Sequence, residues 1–221
     1  TTTQNGTLTV SGGTFTSEGD LELGYAGSSS AQATVNVNGG TLNVGSTTKR
    51  WLIVGRWDSP NTTINVDSGS LNLNTNTDLR MKVGNTGGGT NVVNLNGGAI
   101  TSFSDNQTTA NGAGVVDLMN AGTATTSNTF NLNGGTLSVR AVITANDNAT
   151  ATFNFNGGTL KATGDDGNFV NLGGANQKAY VKEGGAVVDS NNYNVTIVQP
   201  LLHGGDAAID GGLVKNSTGK L

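Results

Sequence analysis

The sequence predicts an all-β chain wound as a single-stranded, right-handed parallel β-helix, one solenoid domain over residues 1–221 with three short strands in each coil of about 27 residues. Three observations predict it: a segment that returns along the chain, apolar residues alternating at period two inside each copy, and a polar mass made of Asn, Thr, Ser and Gly. Those polar types favour turns and, for Thr, strands.

The first strand and its corner come from the repeat itself. ATVNVNGGTLNV at 33–44 returns as TTINVDSGSLNL at 62–73, TNVVNLNGGAIT at 90–101, NTFNLNGGTLSV at 128–139 and ATFNFNGGTLKA at 151–162. Weaker copies are GTLTVSGGTFTS at 6–17 and KAYVKEGGAVVD at 178–189. The Gly-Gly step, or its Ser68-Gly69 equivalent, starts at 12, 39, 68, 97, 134, 157, 184 and 211, so one unit recurs every 23 to 37 residues, with an insertion in the fourth and a shortening in the fifth. Within each copy Val35/Val37, Ile64/Val66, Val93/Leu95, Phe130/Leu132 and Phe153/Phe155 fall on one face, the signature of a half-buried strand.

A second strand follows the step, carrying Leu42/Val44, Leu71/Leu73, Leu137/Val139 and Leu160 inward. A third closes on glycine in four copies, at Gly24, Gly55, Gly84 and Gly173. A hairpin sandwich also needs many short strands, but its strands would resemble their sequence neighbours' partners across tight turns; here each strand resembles the one a whole unit later, and like stacks on like in a solenoid.

Stacking predicts two asparagine columns that serve the scaffold. Asn36, Asn65, Asn94, Asn131 and Asn154 lie between inward residues and should form a ladder on the outer face at a spacing of about 4.8 Å. Asn38, Asp67, Asn96, Asn133 and Asn156, with Glu183, occupy the corner, where glycine supplies the positive φ of a sharp turn.

Composition excludes several functions. The net charge is −4 with no basic stripe, which disfavours nucleic acid. Apolar runs such as Trp51-Leu52-Ile53-Val54 are far too short to cross a bilayer as a helix. There is no cysteine for a disulfide or a thiolate metal site, and the single histidine, His203, sits in a turn without companions, so no metal or other cofactor is expected. Asp165-Asp166 is the one adjacent carboxylate pair, read as capping its Gly-flanked turn rather than as a catalytic pair. No catalytic constellation emerges. An ice-binding face is disfavoured, because the outer column is asparagine rather than threonine.

One patch stands out. Aligning the third strand of the first three coils on its closing glycine stacks Glu18, Lys49 and Asp78, then Asp20, Trp51 and Arg80, then Glu22, Ile53 and Lys82, all outward. Tyr25 and Arg56 follow the glycine, then Trp57 and Asp58. Indoles flanked by Arg and Asp suit a sugar ring stacked on an aromatic face, making Tyr25, Trp51, Arg56, Trp57, Asp58 and Arg80 the candidate binding residues for carbohydrate or a partner. The competing reading is that loops fold over the indoles and bury them.

The last residues, Gly211-Gly212-Leu213-Val214-Lys215-Asn216-Ser217-Thr218-Gly219-Lys220-Leu221, resemble the repeat module of the autotransporter-associated β-strand family: a Gly-Gly-Leu, a basic residue, a small-residue turn and Gly-x-Leu. The segment 184–205 is similar to the lead into such modules. The resemblance implies a secreted bacterial passenger, extracellular or on the cell surface, and supplies no catalytic residues. The expected function is therefore structural or adhesive, a rigid stalk, passenger or fibre unit cut from a longer repeat protein. Its expected partners are flanking repeats or end-to-end copies of itself. The alternative is a β-helix that binds or cleaves polysaccharide on the outer face around Trp51 and Arg56.

Overall fold

The computed structural model describes residues 5–24, 31–45, 50–57, 60–74, 78–83, 88–102, 114–146 and 149–221. They form strands and turns with no helix. The first coil holds β1 (Asn5–Val10), β2 (Thr14–Ser17) and β3 (Leu21–Leu23); the second, β4 (Gln32–Val44) and β5 (Trp51–Arg56); the third, β6 (Asn61–Leu73) and β7 (Asp78–Val83). Then come β8 (Gly89–Leu95), β9 (Ala99–Ser102) and β10 (Val115–Asp117), followed by β11 (Thr126–Leu132), β12 (Thr136–Val139) and β13 (Ala141–Ile143). The sixth coil holds β14 (Thr150–Phe155), β15 (Thr159–Ala162) and β16 (Asp166–Asn171), and the seventh β17 (Gln177–Val181), β18 (Ala186–Asp189) and β19 (Val195–Ile197). β20 (Leu201–His203) and β21 (Leu213–Asn216) make the last.

Strands pair in parallel with their counterparts one coil away, giving three stacked columns, as a parallel β-helix requires. The first and second columns are one hydrogen-bonded sheet, because β4 and β6 run unbroken through the corner where the sequence pattern predicts a break. The third column is a separate sheet, from β3 to β19. Ile100 pairs with Leu71, 29 residues earlier, whereas Val116 pairs with Leu79, 37 earlier, so the insertion enters between β9 and β10.

The inward residues named from the alternation are buried, from Val35 and Val37 through Phe153 and Phe155. Phe130 and Phe153 stack with centroids 5.3 Å apart, and Phe155 meets Phe153 edge-on at 4.8 Å. The corner demands glycine for a reason of stacking: at Gly135, with φ +61°, an added Cβ would stand 2.4 Å from the carbonyl oxygen of Gly98 in the coil before.

The outer asparagine ladder forms through all five members. Asn65 Nδ2 donates to Asn36 Oδ1 (2.9 Å), Asn94 to Asn65 (2.9 Å), Asn131 to Asn94 (2.8 Å) and Asn154 to Asn131 (2.7 Å). The corner column is shorter than the sequence suggests. Asn96 donates to Asp67 (2.8 Å), Asn133 to Asn96 (2.9 Å) and Asn156 to Asn133 (3.3 Å), but a register shift after Val37 sets Asn38 opposite Ser68. Glu183 turns away to accept the amides of Asp206 and Ala207, which hold its carboxylate below the usual range. The last coil leaves Val198, Leu202, Ile209, Leu213 and Val214 exposed, and Phe15 is exposed in the first.

Candidate functional site

The sheet of the third column presents the chemistry. Its inward column, Leu52–Leu79–Val116–Val142–Val170, sets the register, and this register differs from the alignment on closing glycines. Trp51 stands beside Asp78 and Ile53 beside Arg80, a shift of two residues. Because side chains alternate with period two, such a slip exchanges partners but keeps faces. The first pair of coils is as expected, with Glu22 beside Ile53 and the Trp51 amide donating to Asp20 Oδ1 at 3.0 Å.

The indoles are clamped rather than open. Arg80 lies over the Trp51 ring, 4.8 Å from its centroid, and Arg56 over Trp57 at 5.0 Å. Trp51 is half-buried, its Nε1 enclosed without an acceptor, while Trp57 remains 40% exposed. Arg56 also faces Glu22 at 3.8 Å. Tyr25 and Asp58 lie outside the described residues. Of the six candidates the structure therefore brings together Trp51 with Arg80 and Arg56 with Trp57, each indole with one face occupied by guanidinium.

Beside Arg80 the outer face opens into a cleft of about 650 Å³. Its floor is apolar, made by Val115, Ala141 and Ile143 of β10 and β13 in the fourth and fifth coils. One wall is Asp78, Arg80, Asp117 and Asn120; the other is Arg140 with residues 165–168, where β16 begins and its register with β19 is irregular between Asp166 and Val170.

Every carboxylate here is held by protein donors. Asp78, fully buried, accepts the amides of Gly114 (3.0 Å) and Val115 (3.4 Å) and pairs with Arg80 at 3.1 Å; the alignment had placed it outward and exposed. Asp166 accepts the Asn168 amide at 2.8 Å and pairs with Arg140 at 3.0 Å. Asp165 accepts the Asn194 amide of the next coil at 2.6 Å, so of the adjacent pair only Asp166 bonds backbone of its own segment; both line the cleft. Asp117 accepts Asn120 Nδ2 (2.8 Å) and the amides of Ala145 (3.1 Å) and Met119 (3.2 Å).

Burial pushes the Asp117 carboxyl above its ordinary range, only partly offset by the Asn120 side chain, the two amides and Arg80. A folded-state value above the unfolded one contributes stability below the unfolded value that is lost as pH rises through the folded one. Asp117→Asn keeps an oxygen for the Met119 and Ala145 amides. Its melting temperature relative to the parent is expected to climb as pH increases from about 4 to 7, read from thermal melts of both proteins. A pH-independent difference would show that burial does not govern this carboxyl.

Asp117, Asn120 and Arg140 escaped the sequence reading because β10 and β13 lack the closing glycine used to find third strands. The available signal was the outward parity of Asp117 beside Arg80. His203, the lone histidine, pairs on the surface with Asp210 at 3.1 Å. Among the described residues no cluster of His, Cys, Asp and Glu could hold a metal ion, and no helix is long and apolar enough to cross a membrane. Comparison with known families, with curated proteins and with solved structures returns no match to this chain.

Proposed function

We propose that the chain is a rigid structural section of an exported bacterial surface protein, serving as a stalk, adhesive passenger or fibre unit. The observation behind this reading is the asparagine ladder, in which each side-chain amide is bonded to the same residue one coil away across five coils. A rod whose coils are tied both by backbone ladders and by side chains resists bending between any two neighbours. The similarity of 211–221 to a secreted repeat module supports export, and flanking repeats or further copies of the chain would cover the apolar residues of the outermost coils.

Rigidity is directly measurable, since the chain has no native cysteine to interfere with labelling. Thr9 and Leu202 extend the asparagine column at its two ends. Spin labels at Thr9→Cys and Leu202→Cys are expected to give a single narrow distance distribution near 34 Å, from seven steps of about 4.8 Å. A broad or multimodal distribution in double electron–electron resonance would rule out a stalk.

The second reading, a polysaccharide-binding β-helix, is favoured by the cleft rather than by the indoles. The cleft has the size of a ligand site and shares Arg80 with the Trp51 clamp. The commitment of its carboxylates to protein donors favours binding over cleavage, which would need one carboxyl free to exchange a proton with the substrate.

A further inference from the structure

Resting on that second reading, we propose that the cleft is a binding site for an uncharged saccharide segment and that it rejects polyuronates. Sugar hydroxyls both donate and accept, and the walls offer both functions side by side: guanidinium N–H edges and carboxylate lone pairs, already fixed in place by protein bonds. The floor of Val115, Ala141 and Ile143 gives the carbon face of a ring an apolar seat. From the third coil to the sixth the cleft spans about 14 Å along the axis, which suits an extended oligomer better than a single ring.

Charge decides the class. A uronate carboxylate needs a cation to replace its hydration, and the two guanidiniums of the cleft are each paired with an aspartate, Arg80 with Asp78 and Arg140 with Asp166. Asp117 and Asp165 add negative charge to the same lining. Residues 83–139 contain no lysine or arginine, so the fourth coil and the first strands of the fifth bring no further cation. An anionic chain would meet a surface of its own sign; a neutral one would not.

The test uses defined hexasaccharides, neutral ones (cellohexaose, maltohexaose, mannohexaose) and hexagalacturonate, titrated calorimetrically into the intact chain and into Gly167→Trp. Gly167 lies in the cleft wall, and a Cβ there meets nothing within 4 Å, so the indole fills open space. At least one neutral hexasaccharide is expected to bind saturably, with affinity reduced about tenfold or more in the variant and an unchanged melting temperature. Hexagalacturonate binding more tightly than every neutral probe, and equally sensitive to Gly167→Trp, would overturn the uncharged class while leaving the cleft as a polysaccharide site. Binding by no probe, or binding indifferent to the variant, would overturn the site and the second reading together. Should Gly167→Trp not fold, Ala145→Trp, at an exposed residue of the same lining, takes its place in the test.

Discussion

Phe153→Ala is expected to destabilise the solenoid by about 3–5 kcal/mol, much of the total stability of an ordinary domain. Phe153 is fully buried between two rings, stacked on Phe130 of the coil before and edge-on to Phe155 of its own strand. Truncation forfeits the transfer energy of the ring, opens a cavity that the β-sheet backbone on either side cannot collapse into, and removes two aromatic pairs at about 0.5–1.5 kcal/mol each. Since each coil leans only on its neighbours, the damage should be local. Hydrogen exchange is expected to quicken in β11, β14 and β17 well before β1 and β4. Uniform loss of protection, or a cost near 1 kcal/mol in denaturant titrations, would contradict this account.

Asn91→Leu is expected to cost about 2–5 kcal/mol although it introduces a hydrophobic residue into the interior. Asn91 is fully buried inside the coil, where its oxygen accepts the Thr62 hydroxyl (2.6 Å) and its amide donates to Asn128 Oδ1 (2.8 Å). Asn128 in turn donates to the Leu118 carbonyl at 2.7 Å. Leucine leaves a hydroxyl and an amide oxygen buried without their partner, each worth about 1–3 kcal/mol. The relay also explains Gly55, where an added Cβ would stand 2.4 Å from Asn91 Oδ1. Adding Thr62→Val to Asn91→Leu should recover part of the loss, because one orphaned group is removed; strictly additive costs in the double-mutant cycle would refute the relay.

These two residues also mark what could be read in advance. Phe153 was legible because period-two alternation alone puts it inward, and the outer asparagines were legible because one residue type recurs at one position. Asn91 was not. Its column runs Ala33, Thr62, Asn91, Asn128, Ala151 and Gln177, with no one type held along it, and a polar residue at a strand start reads as solvent-facing. The sheet of the third column was half legible. Its faces followed from parity, but its partners depend on packing of Leu52, Leu79 and Val116, which a glycine landmark misses. The cleft depends on a small residue, Ala141, and an irregular strand, β16, neither of which repeats.

The corner column has a sense of direction that chemistry forces upon it. Asp67 has no N–H to offer, so Asn96 donates toward it, and Asn133 and Asn156 point the same way. The outer ladder is oriented identically, every amide reaching back toward the chain's beginning. The two columns thus share one polarity through the middle coils, and the corner column ends on the Gly184 amide, which donates to Asn156 Oδ1 at 3.0 Å. An interior member must therefore accept from the coil after it and donate to the coil before it, which a primary amide does and a carboxylate does not.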